Sequence, residues 1–200
     1  QRRDFPINVL QRYGWAHSLH FDSPEKVKAS YDATPPDVPW FIHLAEGTDE
    51  VAAGEYRQLK ALGCVGPNTV IVHGVGMTDE DVADAAPRVR GLVWCPTTNI
   101  YLLEATANTD RWVQAGGRLS LATDSRLTAD GDISAERAHL ATEAAVTTEA
   151  AHILGLDDVG HLQPGARADI TISYDRRRQK FVMIGGIPMI GNPEIMGKFK

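Results

Sequence analysis

Short apolar runs alternate with longer segments of helical spacing over the first 160 or so positions of the chain. Val38–His43, Thr69–His73 (TVIVH), Gly91–Cys95 (GLVWC) and Arg118–Thr123 (RLSLAT) read as strands, and Tyr13–Phe21 as a weaker one. Between them, Pro24–Tyr31 reads as a short helix that stops before the Pro35-Pro36 break. Thr48–Leu62 places Val51, Tyr56, Leu59 and Leu62 on one helical face and ends at Gly63. Thr78–Ala86 is an acidic helix with Thr78 as its N-cap, and Thr109–Ala115 is a helix closed by Gly116-Gly117. A long helical stretch is predicted over Ser134–Leu154.

Strands that are apolar throughout, joined by helices, imply parallel βαβ units with both sheet faces covered. A doubly wound sheet and a (β/α)8 TIM-type barrel both fit about five such strands. The polar residues favour the barrel. His43, His73, the Thr97–Asn99 loop and Asp124 all fall at or just past the C-terminal end of a strand. In a barrel those ends converge on one face, whereas in an open sheet they would spread along an edge.

The texture changes after Gly155. The segment GLDDVGHLQPGARADITIS is a turn-rich lead into a strand over Ala168–Ser173, and KFVMIGGIPMI reads as a hairpin turning at Gly185-Gly186. Residues 1–160 are therefore expected to form a partial barrel and residues 161–200 a small β domain. The Arg176-Arg177-Arg178 run reads as a solvated turn. No internal repeat is visible.

Composition narrows the function classes. The chain has 200 residues, 43% hydrophobic and 23% charged, enough for one sizeable core or a core with a small appendage. A net charge of −6 argues against nucleic acid or an anionic membrane as the main partner. No apolar run reaches the roughly 18 residues needed to span a bilayer. Two cysteines, Cys64 and Cys95, form no disulfide framework and no CxxC motif, as expected of a reducing cytoplasm. Cys95 reads as a packed small residue. The first residue is Gln1 rather than Met, as expected of a processed chain or part of a longer polypeptide.

The chemistry sits in VPWFIHLAEGTDE, where a strand ends on His43 and Glu46 follows three residues later. A neutral imidazole and a carboxylate at strand ends are the materials of a divalent metal site, zinc or iron. Such a cation lowers the pKa of bound water to about 7, and a nearby unligated carboxylate can shuttle protons. His43 and Asp124 are candidate ligands, Glu46 the candidate shuttle, and His73 a candidate hydrogen-bonding partner of substrate or water. Asn99 and Trp40 are candidate substrate contacts, although Trp40, like Phe41, reads first as a core residue. Each has a structural alternative: a hydrogen-bonded strand-end imidazole at His43, a helix-start carboxylate at Glu46, an N-cap at Asp124, a strand-closing residue at His73.

Taken in order, FIHLAEGTDE, VIVHGVGMTDEDV, LVWCPTTNIYLLE, GGRLSLATDS and LGLDDVGHLQPGARADI resemble consecutive blocks of the amidohydrolase superfamily, in its cytosine deaminase and triazine hydrolase branch. The resemblance runs from about Val38 to Ile172. It implies a (β/α)8 barrel with a small β-sandwich built from both chain ends. It further implies that His43 is the metal ligand from the fifth strand and Glu46 the proton shuttle of an HxxE motif. His73 would end the sixth strand and polarise water or substrate. Asp124 would end the eighth, bind the metal and accept a proton from the water. Thr97, Thr98 and Asn99 match the loop after the seventh strand. The activity implied is metal-dependent hydrolysis of a non-peptide carbon–nitrogen bond, or a related carbon–chlorine bond, in a small heterocyclic or amidine-like substrate, through attack of metal-bound hydroxide. One divalent ion is implied, zinc before iron, and a homodimer is the expected assembly.

The sequence also departs from that pattern. The family takes two further ligands from an HxH motif at the end of its first strand, and none of the seven histidines here is so spaced. His17 and His20 are spaced HxxH and read as part of the fourth strand. With two of four ligands, these residues alone are expected to hold metal poorly. A whole barrel takes about 250 residues, so the chain reads as the C-terminal portion of such an enzyme. Asp132–Leu154 is short for a final barrel helix and its connections. The competing readings are a catalytically inactive scaffold of the same fold that binds a ligand or partner, and a doubly wound domain with no metal. His139, His152 and His161 read as exposed or structural.

Overall fold

The computed structural model describes residues 10, 12–140, 142–175 and 178–199. Five parallel strands run through its centre: β1 (Gly14–Ala16), β2 (Trp40–Leu44), β3 (Thr69–His73), β4 (Gly91–Trp94) and β5 (Leu119–Leu121). Their order in the sheet is their order in the chain, with every neighbouring pair parallel. A doubly wound sheet reverses its strand order at a switch point. No reversal occurs here, so the strands follow one another as in a barrel wall.

The expected elements are present, with shifted ends. Helices α1 (Pro24–Ala33), α2 (Glu50–Ala61) and α3 (Asp79–Ala85) link the first strands. Thr78 caps α3 in a reciprocal box with Asp81. One face of the sheet is dry: Trp40, Ile42 and Leu44 of β2 and Ile71 of β3 have no exposed surface. They pack with Val27, Tyr56, Leu59, Leu92 and Trp112 in a single core cluster. Burying each such side chain contributes roughly 1.5–3 kcal/mol. Alternate positions of β2, Phe41 and His43, are only half-buried and lie on the other face.

Two segments differ from their sequence reading. Thr97–Asn99 is not a loop but the first turn of helix α4 (Pro96–Leu103), with Pro96 at the position where a missing N–H costs nothing. Helix α5 (Thr109–Gln114) follows it. The continuous helix expected over Ser134–Leu154 is broken into α6 (Ile133–Glu136), two 3-10 turns (Arg137–His139 and Glu143–Val146) and α7 (Thr148–Leu154). Helical backbone angles continue into the first 3-10 turn, and Leu140, buried with extended angles (φ −86°, ψ 141°), takes the chain out of the helix. Thr142 then starts a new turn by accepting from Ala144 N, and Thr147 has non-helical backbone angles. Tertiary demand overrides the alanine-rich propensity.

Strands β6 (Ile170–Asp175), β7 (Arg178–Ile184) and β8 (Ile187–Gly191) form a separate antiparallel sheet. The expected hairpin turns at Gly185 and Gly186, whose φ values of 56° and 82° suit a two-residue turn that non-glycine residues resist. A short helix α8 (Pro193–Met196) follows. The arginine run expected as a solvated turn lies outside the residues whose side chains are described. Among the described residues no helix is long and apolar enough to cross a membrane. Cys64 and Cys95 are both buried and unpaired, and burial raises both thiols, Cys64 to about 11.

Candidate metal centre

Strand pairing alone would keep His43 and His73 apart. His43 is in register with Val72, and His73 with Leu44, whose side chain is buried on the helix-covered face. Yet the two imidazoles stack, with centroids 5.4 Å apart and planes 24° from parallel. The backbone resolves the conflict. His73 has φ +74°, which takes it out of the regular pleat at the last position of β3. Ala45 (φ +53°), just before Glu46, and Asp124 (φ +55°), just beyond β5, share this left-handed conformation. None is glycine, so each costs on the order of 1 kcal/mol or more, the kind of strain found at functional sites.

Buried partners hold these strand ends. The carboxylate of Glu55, on α2, accepts the Ala45 N–H at 2.6 Å. Burial pushes the Glu55 carboxyl above its ordinary range. His43 Nδ1 lies 2.8 Å from the carbonyl of His17, to which it donates. His73 Nδ1 lies 2.9 Å from Asn99 Oδ1. With both Nδ1 atoms engaged, each ring turns Nε2 toward the site. This is the way ligating histidines are usually oriented.

His43, His73 and Asp124 come together there. Their candidate donor atoms all lie within 4.8 Å of one another, from the ends of three different strands. Glu46 Oε1 is 3.5 Å from His73 Nε2. His73 is fully buried, His43 half-buried and Asp124 exposed, so the cluster opens to solvent on one side. Two imidazoles and a carboxylate fit a borderline divalent cation.

The other candidates lie differently. Asn99, expected to contact substrate, is buried and spends its side-chain oxygen on His73. Trp40, expected at substrate, sits in the core, with its ring edge-on to Tyr31 and its Nε1 donating to Ser30 Oγ at 3.0 Å. His17 and His20 lie beyond β1, not within it. The Asp22 carboxylate accepts the His17 N–H at 2.7 Å and bends the chain there. The His17 ring is 5.0 Å from that of His43, which puts a third imidazole beside the cluster. Glu55 and Glu136 were not singled out from sequence. An acidic residue on an otherwise apolar helix face is the local signal that could have found Glu55.

Sequential parallel strands that gather imidazoles and carboxylates at their C-terminal ends define an α/β protein with a candidate metal centre. The chain belongs to the amidohydrolase family, whose model matches residues 11–188. It is 27% identical over 175 residues to 8-oxoguanine deaminase of Pseudomonas aeruginosa, covering 75% of this chain and 39% of that protein. It is 30% identical over 156 residues to 5-methylthioadenosine/S-adenosylhomocysteine deaminase of Teredinibacter turnerae, covering 64% of this chain and 35% of that one. The chain thus spans less than half the length of the curated relatives it matches. Among solved structures, a zinc-bound adenosine deaminase of Xanthomonas campestris superposes with a TM-score of 0.76 at 22% identity, over 96% of this chain and 54% of that one. A zinc complex of atrazine chlorohydrolase from Arthrobacter aurescens gives 0.72 at 20% identity, over 89% and 50%. These likenesses show the shared fold.

Proposed function

We propose that this chain carries half of the active site of a hydrolytic deaminase, one that removes an exocyclic amine from a small nitrogen heterocycle. The observation that carries the proposal is the convergence of His43, His73 and Asp124 within 4.8 Å, with Glu46 beside His73. In this reading residues 1–160 supply the last five strands of a (β/α)8 barrel, and residues 161–200 return into a small flanking β-sandwich.

His43 and Asp124 would hold one divalent cation, zinc by analogy with the zinc-bound neighbours. When bound, the cation acts as a Lewis acid and brings a water proton within reach of neutral pH. Asp124 takes that proton as the water oxygen adds to the ring carbon. Glu46, at the mouth, delivers a proton to the adjacent ring nitrogen, takes up the hydroxyl proton of the tetrahedral carbon and passes it to the departing amine; the proton held by Asp124 then restores Glu46. His73, held by Asn99 and paired with Glu46, hydrogen-bonds the oxygen added to the carbon. The carbon–nitrogen bond breaks, ammonia leaves, and a carbonyl replaces the amine. The curated relatives named for purine substrates make an aminopurine the first class to assay.

Zinc content and ammonia release from a panel of aminopurines, aminopyrimidines and chlorotriazines test this in the full-length protein. We expect about one zinc per chain and ammonia from at least one amino heterocycle, abolished by chelation and restored by zinc. Neither zinc nor turnover would instead favour an inactive scaffold of the same fold.

A further inference from the structure

Glu136 has no exposed surface and lies on the short helix α6, outside the metal-binding cluster. Its Oε2 accepts the Thr97 N–H at 3.1 Å, and its Oε1 accepts the Thr97 hydroxyl. Burying a carboxylate costs several kcal/mol, and two hydrogen bonds from neutral donors return only part of it. Stability alone is therefore a poor reason for the residue. The two bonds fasten the first turn of α4, whose polar side chains bond the loop around Asp124 and the His73 ring.

Thr97 Oγ1 also accepts the Asp130 N–H at 3.2 Å. Thr98 Oγ1 donates to the carbonyl of Thr123 at 3.3 Å and lies 2.9 Å from Thr128 Oγ1. Thr123 is the residue before Asp124, and Thr128 and Asp130 lie on the loop that follows it. Asn99 Oδ1 takes His73 Nδ1, while Asn99 Nδ2 is 3.5 Å from Thr106 Oγ1, itself the acceptor of Trp94 Nε1 at 2.6 Å. Thr97, Thr98 and Asn99 are all buried. One helical turn thus grips the Asp124 loop on one side and the His73 ring on the other.

We propose that Glu136 is a positioning residue: by clamping Thr97 it sets the first turn of α4, and so the register between His73 and Asp124. The proposal rests on the reading of those two residues as members of the metal centre. Partners one step removed from a ligand typically change metal affinity by about tenfold to a hundredfold. Glutamine at 136 keeps the shape but removes the charge: its amide oxygen takes the Thr97 N–H and its N–H2 faces the Thr97 hydroxyl, so two charge-assisted bonds become weaker neutral ones and the hydroxyl bond reverses.

The test compares wild type with Glu136→Gln in the full-length protein. Zinc affinity is measured by chelator competition, the His73 Nδ1 proton by NMR, and kcat separately from KM. We expect zinc binding weakened by about tenfold or more, a displaced or exchange-broadened His73 Nδ1 resonance, and a loss carried by kcat. A folded Glu136→Gln with wild-type zinc affinity and an unmoved His73 resonance overturns the proposal. Thr97→Val, which deletes the hydroxyl donor and keeps the N–H, carries the same readouts should Glu136→Gln fail to fold. Wild-type protein that binds no zinc overturns the metal-centre reading instead. The His73 resonance still reports whether Glu136 governs that ring.

Discussion

Replacing His43 with alanine in the full-length protein is expected to remove most of its zinc and abolish turnover, and Asp124→Ala to do the same. Lewis-acid assistance supplies several kcal/mol of transition-state stabilisation. At 1.36 kcal/mol per tenfold, a loss of roughly a thousandfold or more is expected. The fold should survive both changes. The His17 carbonyl loses the His43 ring but keeps the His43 backbone N–H at 3.0 Å, so the strand bond remains. Asp124 is exposed and beyond its strand, and alanine there still meets a left-handed φ, so a small stability cost remains. Elemental analysis, circular dichroism and steady-state kinetics on the same preparations read the three effects. Full zinc and full activity in both variants would remove these residues from the site.

Glu46→Gln separates proton transfer from metal binding. The carboxylate is partly exposed and 3.5 Å from His73 Nε2, on the first turn after a strained Ala45 that the buried Glu55 holds in place. Glutamine matches its shape but cannot carry a proton between ring nitrogen and leaving amine. We expect kcat to fall by about 10²–10⁴-fold with zinc content unchanged. A fall of less than tenfold at normal zinc content would assign the shuttle to another group.

Much of this arrangement is legible in the residues. Thr69–His73 is a strand with both ends where the sequence puts them, because an unbroken apolar run between polar breaks has one local solution. Thr78 caps α3 for the same local reason. The candidate ligands His43 and Asp124 follow from their places at strand ends. What the sequence hides is long-range or backbone-encoded. Left-handed φ at Ala45, His73 and Asp124 leaves no mark, since none is glycine. The bond from Glu136 to Thr97 joins residues 39 apart, and nothing local in either segment announces it. Trp40 lies where its core reading puts it. Its nearness to His43 in sequence suggests the site, while the strand's alternation turns it to the opposite face.

The most direct test is a crystal of the full-length protein grown with zinc, mapped by anomalous scattering at the zinc edge. The account predicts a single peak touching both His43 and Asp124, on the side where the His73 ring and Glu46 converge. A map with no peak there, or with zinc bound only by other residues, would contradict it.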